Sequence, residues 1–85
     1  MTIVQTRRFQ EEFAALPPTI KERARKQLAL LLTSPEHHSL FLEKLKGYEN
    51  MWEGRITQQY RFTFSVTGDT YTLRRIGPHD IERHP

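Results

Sequence analysis

The chain has 85 residues, the length of one small domain with room for one core and one task. Its 13 Lys and Arg against 10 Asp and Glu leave a formal charge of +3, a surplus that favours anionic partners such as nucleic acid, a phosphorylated ligand or an acidic protein. With no Cys, a disulfide scaffold, a thiolate zinc site and a Cys nucleophile are all excluded.

The opening Met1 to Phe13 carries Arg7, Arg8, Glu11 and Glu12, so it lacks the apolar stretch of a secretory signal. The longest apolar run, Leu28 to Leu32, is far below the roughly 18 residues of a membrane span. A soluble, cytoplasmic protein is expected, with no membrane partner. Five Phe, three Tyr and one Trp are available for its core.

Thr2-Ile3-Val4-Gln5 predicts a short first strand, and Thr6 offers a side-chain oxygen to cap a helix starting at Arg7. Phe9, Phe13 and Leu16 recur at i, i+4 and i+7 on one stripe of that helix, which Pro17-Pro18 stops. Thr19 and Glu22 have capping-box spacing and predict the start of a second helix. Its buried stripe is Ile20, Ala24, Leu28, Leu31 and Leu32, and Thr33-Ser34-Pro35 ends it. The two helices are expected to form an antiparallel hairpin. Glu36 to Asn50 reads as a loop with at most a short ordered piece. Within it Glu36-His37-His38 predicts no metal site, because adjacent histidines point to different sides and no further ligand is suitably spaced.

From Met51 to Ile76 the period changes to two. Trp52, Gly54 and Ile56 alternate with Glu53 and Arg55; Phe62, Phe64 and Val66 with Arg61, Thr63 and Ser65; Tyr71 and Leu73 with Thr72 and Arg74. These predict a three-stranded antiparallel meander, with Trp52 in the core. The fold expected is therefore α+β: a first strand, a helical hairpin and the meander, in the order β-α-α-β-β-β, with both helices on one face of the sheet.

Side-chain parity sets the register. A two-residue turn at Gly68-Asp69 pairs Phe64 with Leu73 and Thr63 with Arg74, and a three-residue loop Gln58-Gln59-Tyr60 pairs Ile56 with Phe62 and Arg55 with Thr63. Arg55, Thr63 and Arg74 then line up across three strands with Arg61 beside them, on a face the helices leave open. Planar guanidinium groups suit phosphate; solvated polar strand residues are the alternative reading.

Leu42-Glu43-Lys44-Leu45-Lys46-Gly47, then Trp52-Glu53-Gly54-Arg55-Ile56-Thr57, Tyr60-Arg61-Phe62 and Ile76-Gly77-Pro78-His79-Asp80-Ile81, resemble in order and spacing the RelE/ParE superfamily of toxins, on its RelE and YoeB side. The resemblance covers nearly the whole chain. It implies a bacterial toxin of a type II toxin–antitoxin system that cleaves messenger RNA, usually on the ribosome, and is held inactive by a cognate antitoxin. Carried over position by position, Arg61 is the arginine that stabilises charge at the scissile phosphate, and His79 the general acid to the 5′-oxygen. Glu43 is the carboxylate that takes the proton from the 2′-hydroxyl, or else a solvated loop residue. Where YoeB-like toxins have a tyrosine after the histidine, this chain has Asp80, and the loop from Gly47 to Trp52 differs by one residue.

Such a site needs no metal or cofactor, and its products are a 2′,3′-cyclic phosphate and a 5′-hydroxyl. Arg55 and Arg74 would add phosphate contacts, and Lys44 and Lys46 would steer the RNA or stand as ordinary surface lysines. Arg23, Arg25 and Lys26 on the second helix are a solvated face or a contact to ribosomal RNA. His84 is expected to be mobile. The alternative function is that of a ParE-like inhibitor of DNA gyrase without nuclease activity, since one fold hosts both.

Overall fold

The computed structural model describes residues 1–85. The elements are β1 (Thr2–Gln5), α1 (Arg7–Ala14), α2 (Pro18–Thr33), a 3-10 turn (His38–Leu40), β2 (Glu43–Lys44), β3 (Met51–Arg55), β4 (Tyr60–Thr67), β5 (Thr70–Pro78) and a C-terminal 3-10 turn (His79–Arg83). The strands form one mixed sheet in the order β1-β5-β4-β3-β2. The expected three-stranded meander is thus the centre of a five-stranded sheet. β1 adds to it in parallel, with Ile3 opposite Tyr71, and β2 pairs antiparallel with β3. No helix is long and apolar enough to cross a membrane.

Thr6 caps α1 as its position predicts: its hydroxyl accepts from the Phe9 N–H at 3.1 Å and donates to the Arg74 carbonyl. The capping box at Thr19 does not form. Pro18 occupies the first turn of α2, where a missing N–H costs nothing, so the helix begins before Thr19 and Pro17 is its uncapped flank. Phe9, Ala24 and Leu31 from the helices and Leu16 from the turn between them meet Phe62, Phe64, Leu73 and Ile76 from the sheet in one core, with Trp52 packed against it.

Both hairpin registers differ from expectation. The β3–β4 loop is longer by one pair, so Arg55 faces Arg61 and Glu53 faces Thr63, where Arg55 opposite Thr63 was expected. A shift of two residues preserves parity, and every apolar side chain stays on the core face. In β4–β5, Phe64 faces Leu73 as expected, but Thr63 faces Arg75 and not Arg74. An extra residue inserted between the Leu73 and Ile76 core positions makes Arg74 the bulged residue. Gly68, with φ +58, supplies the left-handed turn between these strands.

Gly54 lies opposite Phe62, whose ring rests where a Cβ would stand. Gly54→Ala is therefore expected to overpack this site and lower the unfolding free energy by about 1–3 kcal/mol, measured by urea denaturation. A variant as stable as the parent would contradict that packing.

Candidate functional site

Burying a guanidinium requires a counter-charge and hydrogen bonds for its N–H groups. Arg61, on β4 and 8 % exposed, has both. Its Nη1 donates to Glu53 Oε1 at 3.0 Å, while Nε and Nη2 donate to the Gln58 carbonyl at 3.1 and 2.7 Å. Of the five N–H groups of a guanidinium, one on each terminal nitrogen remains for another acceptor. Arg61 is thus set into the sheet, not displayed on an open surface.

The expected open face is in part covered, because the chain turns back after β5. Ile81 is 3 % exposed and packs against Gly77, Thr63 donates to the Pro85 carbonyl at 3.1 Å, and Arg75 donates to the His84 carbonyl at 3.1 Å. Tyr48 reaches the Arg83 carbonyl from the loop before β3. The His84 backbone, expected to be mobile, is therefore tied down.

His79 opens this C-terminal turn. Gly77 lies opposite Arg61 and Pro78 opposite Tyr60, which brings the imidazole to the Arg61 end of the sheet. It is exposed, borders a shallow cleft with Gln59, Tyr60 and Asp80, and holds Nε2 3.5 Å from Glu82 Oε1. Glu53 is 4 % exposed and its Oε2 has no hydrogen-bond partner. Burial pushes its carboxyl above the ordinary value of 4.5; Arg61 pulls it back, and the nearby Glu82 carboxylate raises it further.

Of the other expected site residues, Glu43 is exposed on edge strand β2 directly opposite Glu53, so the two carboxylates share a face. Arg55 lies opposite Arg61 and places its guanidinium 4.1 Å from the centre of the Phe41 ring. Lys44 faces Trp52 and so projects to the other side of the sheet from Glu43. Lys46 is exposed in the turn after β2, and Arg74 is exposed at the bulge beside Tyr48, Met51, His84 and Pro85. The structure thus places Arg61, Arg55 and Glu43 on one face of the sheet and Lys44 on the other, with His79 in the turn that follows β5. His37 and His38 stack on each other, with centroids 4.7 Å apart, contrary to the divergent orientation expected: His37 caps the 3-10 turn that His38 begins.

Three members of the site went unrecognised in the sequence. Glu53 had a signal, a carboxylate two positions before Arg55 on the guanidinium face. Arg75 had one in the odd spacing of Leu73 and Ile76; it pairs with Glu12 of α1, Nη2 to Oε2 at 2.6 Å and Nε to Oε1 at 3.3 Å, and that carboxylate holds the Arg75 guanidinium above its ordinary value. Glu82 had none.

No protein-family model and no curated protein sequence matches the chain. Solved structures do. A YoeB/ParE toxin from Agrobacterium tumefaciens superposes with a TM-score of 0.78 at 21 % identity, over 93 % of this chain and 99 % of that one. The toxin of a RelB–RelE antitoxin–toxin complex from Methanococcus jannaschii gives 0.72 at 25 % identity over 91 % of both chains. The chain has the fold of the RelE/ParE toxins. YafQ from E. coli, at 0.77 and 12 % identity over 92 % of both chains, shares it as well.

In this RelE-like sheet the raised carboxyl of Glu53 has a signed consequence. The folded chain holds that proton more tightly than the unfolded chain, so the stability it contributes is complete below pH 4.5 and is lost as the pH rises from 4.5 through the folded value. Urea unfolding across this range is expected to show the parent losing stability relative to Glu53→Gln as pH increases. A constant difference between them would mean that the carboxyl is not desolvated.

Proposed function

We propose that the protein is the toxin of a type II toxin–antitoxin system and acts as a metal-independent endoribonuclease on ribosome-bound messenger RNA. The observation that carries this reading is the placing of Arg61 and His79 at one end of the sheet, on the fold of known toxins. RNA cleavage by attack of the 2′-hydroxyl needs a base, a cation and an acid. Glu43 is the exposed carboxylate on the Arg61 face and takes the 2′-hydroxyl proton. Arg61 directs its two free N–H groups at the charge that builds on phosphorus, already oriented by Glu53 and Gln58. His79 gives its proton to the departing 5′-oxygen; its exposed imidazole is open to the RNA. The 2′-oxygen–phosphorus bond forms as the 5′-oxygen–phosphorus bond breaks, which leaves a 2′,3′-cyclic phosphate and a 5′-hydroxyl.

Charge and partner follow the same logic. A chain of net charge +3 with Arg55 and Arg61 paired on one face of its sheet suits both RNA and an acidic antitoxin segment, and several structural neighbours are toxins solved with antitoxins. The protein would act in the cytoplasm, where ribosomes are. A second reading, gyrase inhibition of the ParE kind, is favoured by the engagement of Arg61 with Glu53, which a non-hydrolytic protein tolerates without cost.

Purified protein added to translating ribosomes is expected to cut messenger RNA at sites that primer extension maps. His79→Gln should slow cutting by roughly 10²- to 10⁴-fold. Arg61→Ala leaves Glu53 buried without its counter-charge, so Arg61→Lys, which keeps the charge and loses the planar fork, is the companion variant and should also be severely impaired. Cutting that survives all three, or intact messenger RNA with inhibited supercoiling, would reverse the assignment.

A further inference from the structure

Phe41 is the most exposed large apolar side chain of the molecule, at 56 %, and its backbone is left-handed, φ 46 and ψ 48. Neither feature serves the core. A glycine or asparagine would adopt that backbone with less strain, and burial gains nothing from a ring that stays in water. Costs of this kind persist where a function uses the group.

What holds the ring is specific. The Arg55 guanidinium lies 4.1 Å from its centroid, and Arg55 is the direct cross-strand partner of Arg61. The backbones beneath are tied together by Gln27 of α2, 8 % exposed, whose Nε2 donates to the Ser39 carbonyl at 3.2 Å and to the Arg55 carbonyl at 3.0 Å. One buried amide thus sets the loop that carries Phe41 against the strand that carries Arg55. An aromatic face against one guanidinium group, with a second on the paired strand, is the arrangement that holds a single-stranded base and its flanking phosphates at once.

We propose that Phe41, braced by Arg55, is a stacking platform for an unpaired base of RNA bound across Arg61. This rests on the nuclease reading and adds to it a residue that positions the nucleotide beside the scissile phosphate. Arg55 stacks on one side of the ring and the base on the other. The contact is tolerant of base identity, because every base has a π-face, and Lys46 in the nearby turn is left to meet backbone phosphate.

The test uses a short single-stranded RNA containing 2-aminopurine and a 2′-deoxy substitution that blocks cleavage. Stacking should quench the probe when the parent protein is added. Phe41→Gly relieves the strained backbone, so it should unfold at the same or a higher temperature while losing the quench and weakening binding at least fivefold; Phe41→Trp should restore both. The salt slope of binding should be unchanged in Phe41→Gly and smaller by about 0.7 in Arg55→Ala, which separates stacking from phosphate contact. A quench that persists in Phe41→Gly, or no quench with the parent, overturns the platform. Cleavage on ribosomes, assayed in parallel with the parent, reports on the nuclease reading by itself.

Discussion

The site depends on one buried ion pair. Arg61 and Glu53 are both set into the sheet, and each makes the other's burial tolerable. Removing either partner from such a pair typically costs about 3–5 kcal/mol, because the survivor is left charged in a medium that solvates it poorly. The pair also organises its surroundings. Gln58 turns its carbonyl toward the guanidinium and so shapes the β3–β4 loop, while Glu82 of the C-terminal turn lies near Glu53 and 3.5 Å from His79. Strand and loop are therefore positioned by the same charge that the proposed chemistry uses.

A second pair does for the outer edge of β5 what the first does for the middle of the sheet. β1 is only four residues long, so β5 outruns it, and the Ile76 N–H would face an empty edge. Glu12 accepts from that N–H at 3.3 Å and takes the Arg75 guanidinium in a two-pronged contact. α1 is thereby fixed to the sheet beyond the reach of β1. Four arginines that look equivalent in the sequence thus occupy four situations: Arg61 buried and paired, Arg75 joined to a helix, Arg55 over an aromatic ring, Arg74 free at a bulge.

Much of this was legible as parity and little of it as pairing. Alternation in Trp52 to Ile56 and in Arg61 to Val66 placed the guanidinium face correctly, because a hairpin that shifts by two residues keeps every side chain on its side. Which residue faces which depended on loop length and on a bulge, and neither is encoded by periodicity. The odd interval between Leu73 and Ile76 was the available sign of the bulge. β2 is two residues long, too short for any period, and β1 joins a strand from the far end of the chain, which no local pattern reports. The covering of the face by residues 79–85 had no sequence signal: it follows from a turn after Pro78 and from one isoleucine that packs on Gly77.

Two departures from local rules in this chain lie on the same face. Glu53 keeps a buried oxygen without a partner, and Phe41 keeps a strained backbone and a wet ring. Either could be removed by a common substitution, the first by an uncharged pair and the second by glycine, and the fold would gain stability. Thr6 caps α1, the aromatic core is continuous, and the edge of β5 is satisfied by Glu12. Departures that cluster on one surface are what selection for binding or chemistry leaves behind. Glu53 brackets Arg61 from β3, Phe41 is reached through the cross-strand partner of Arg61, and the two departures therefore converge on the same guanidinium.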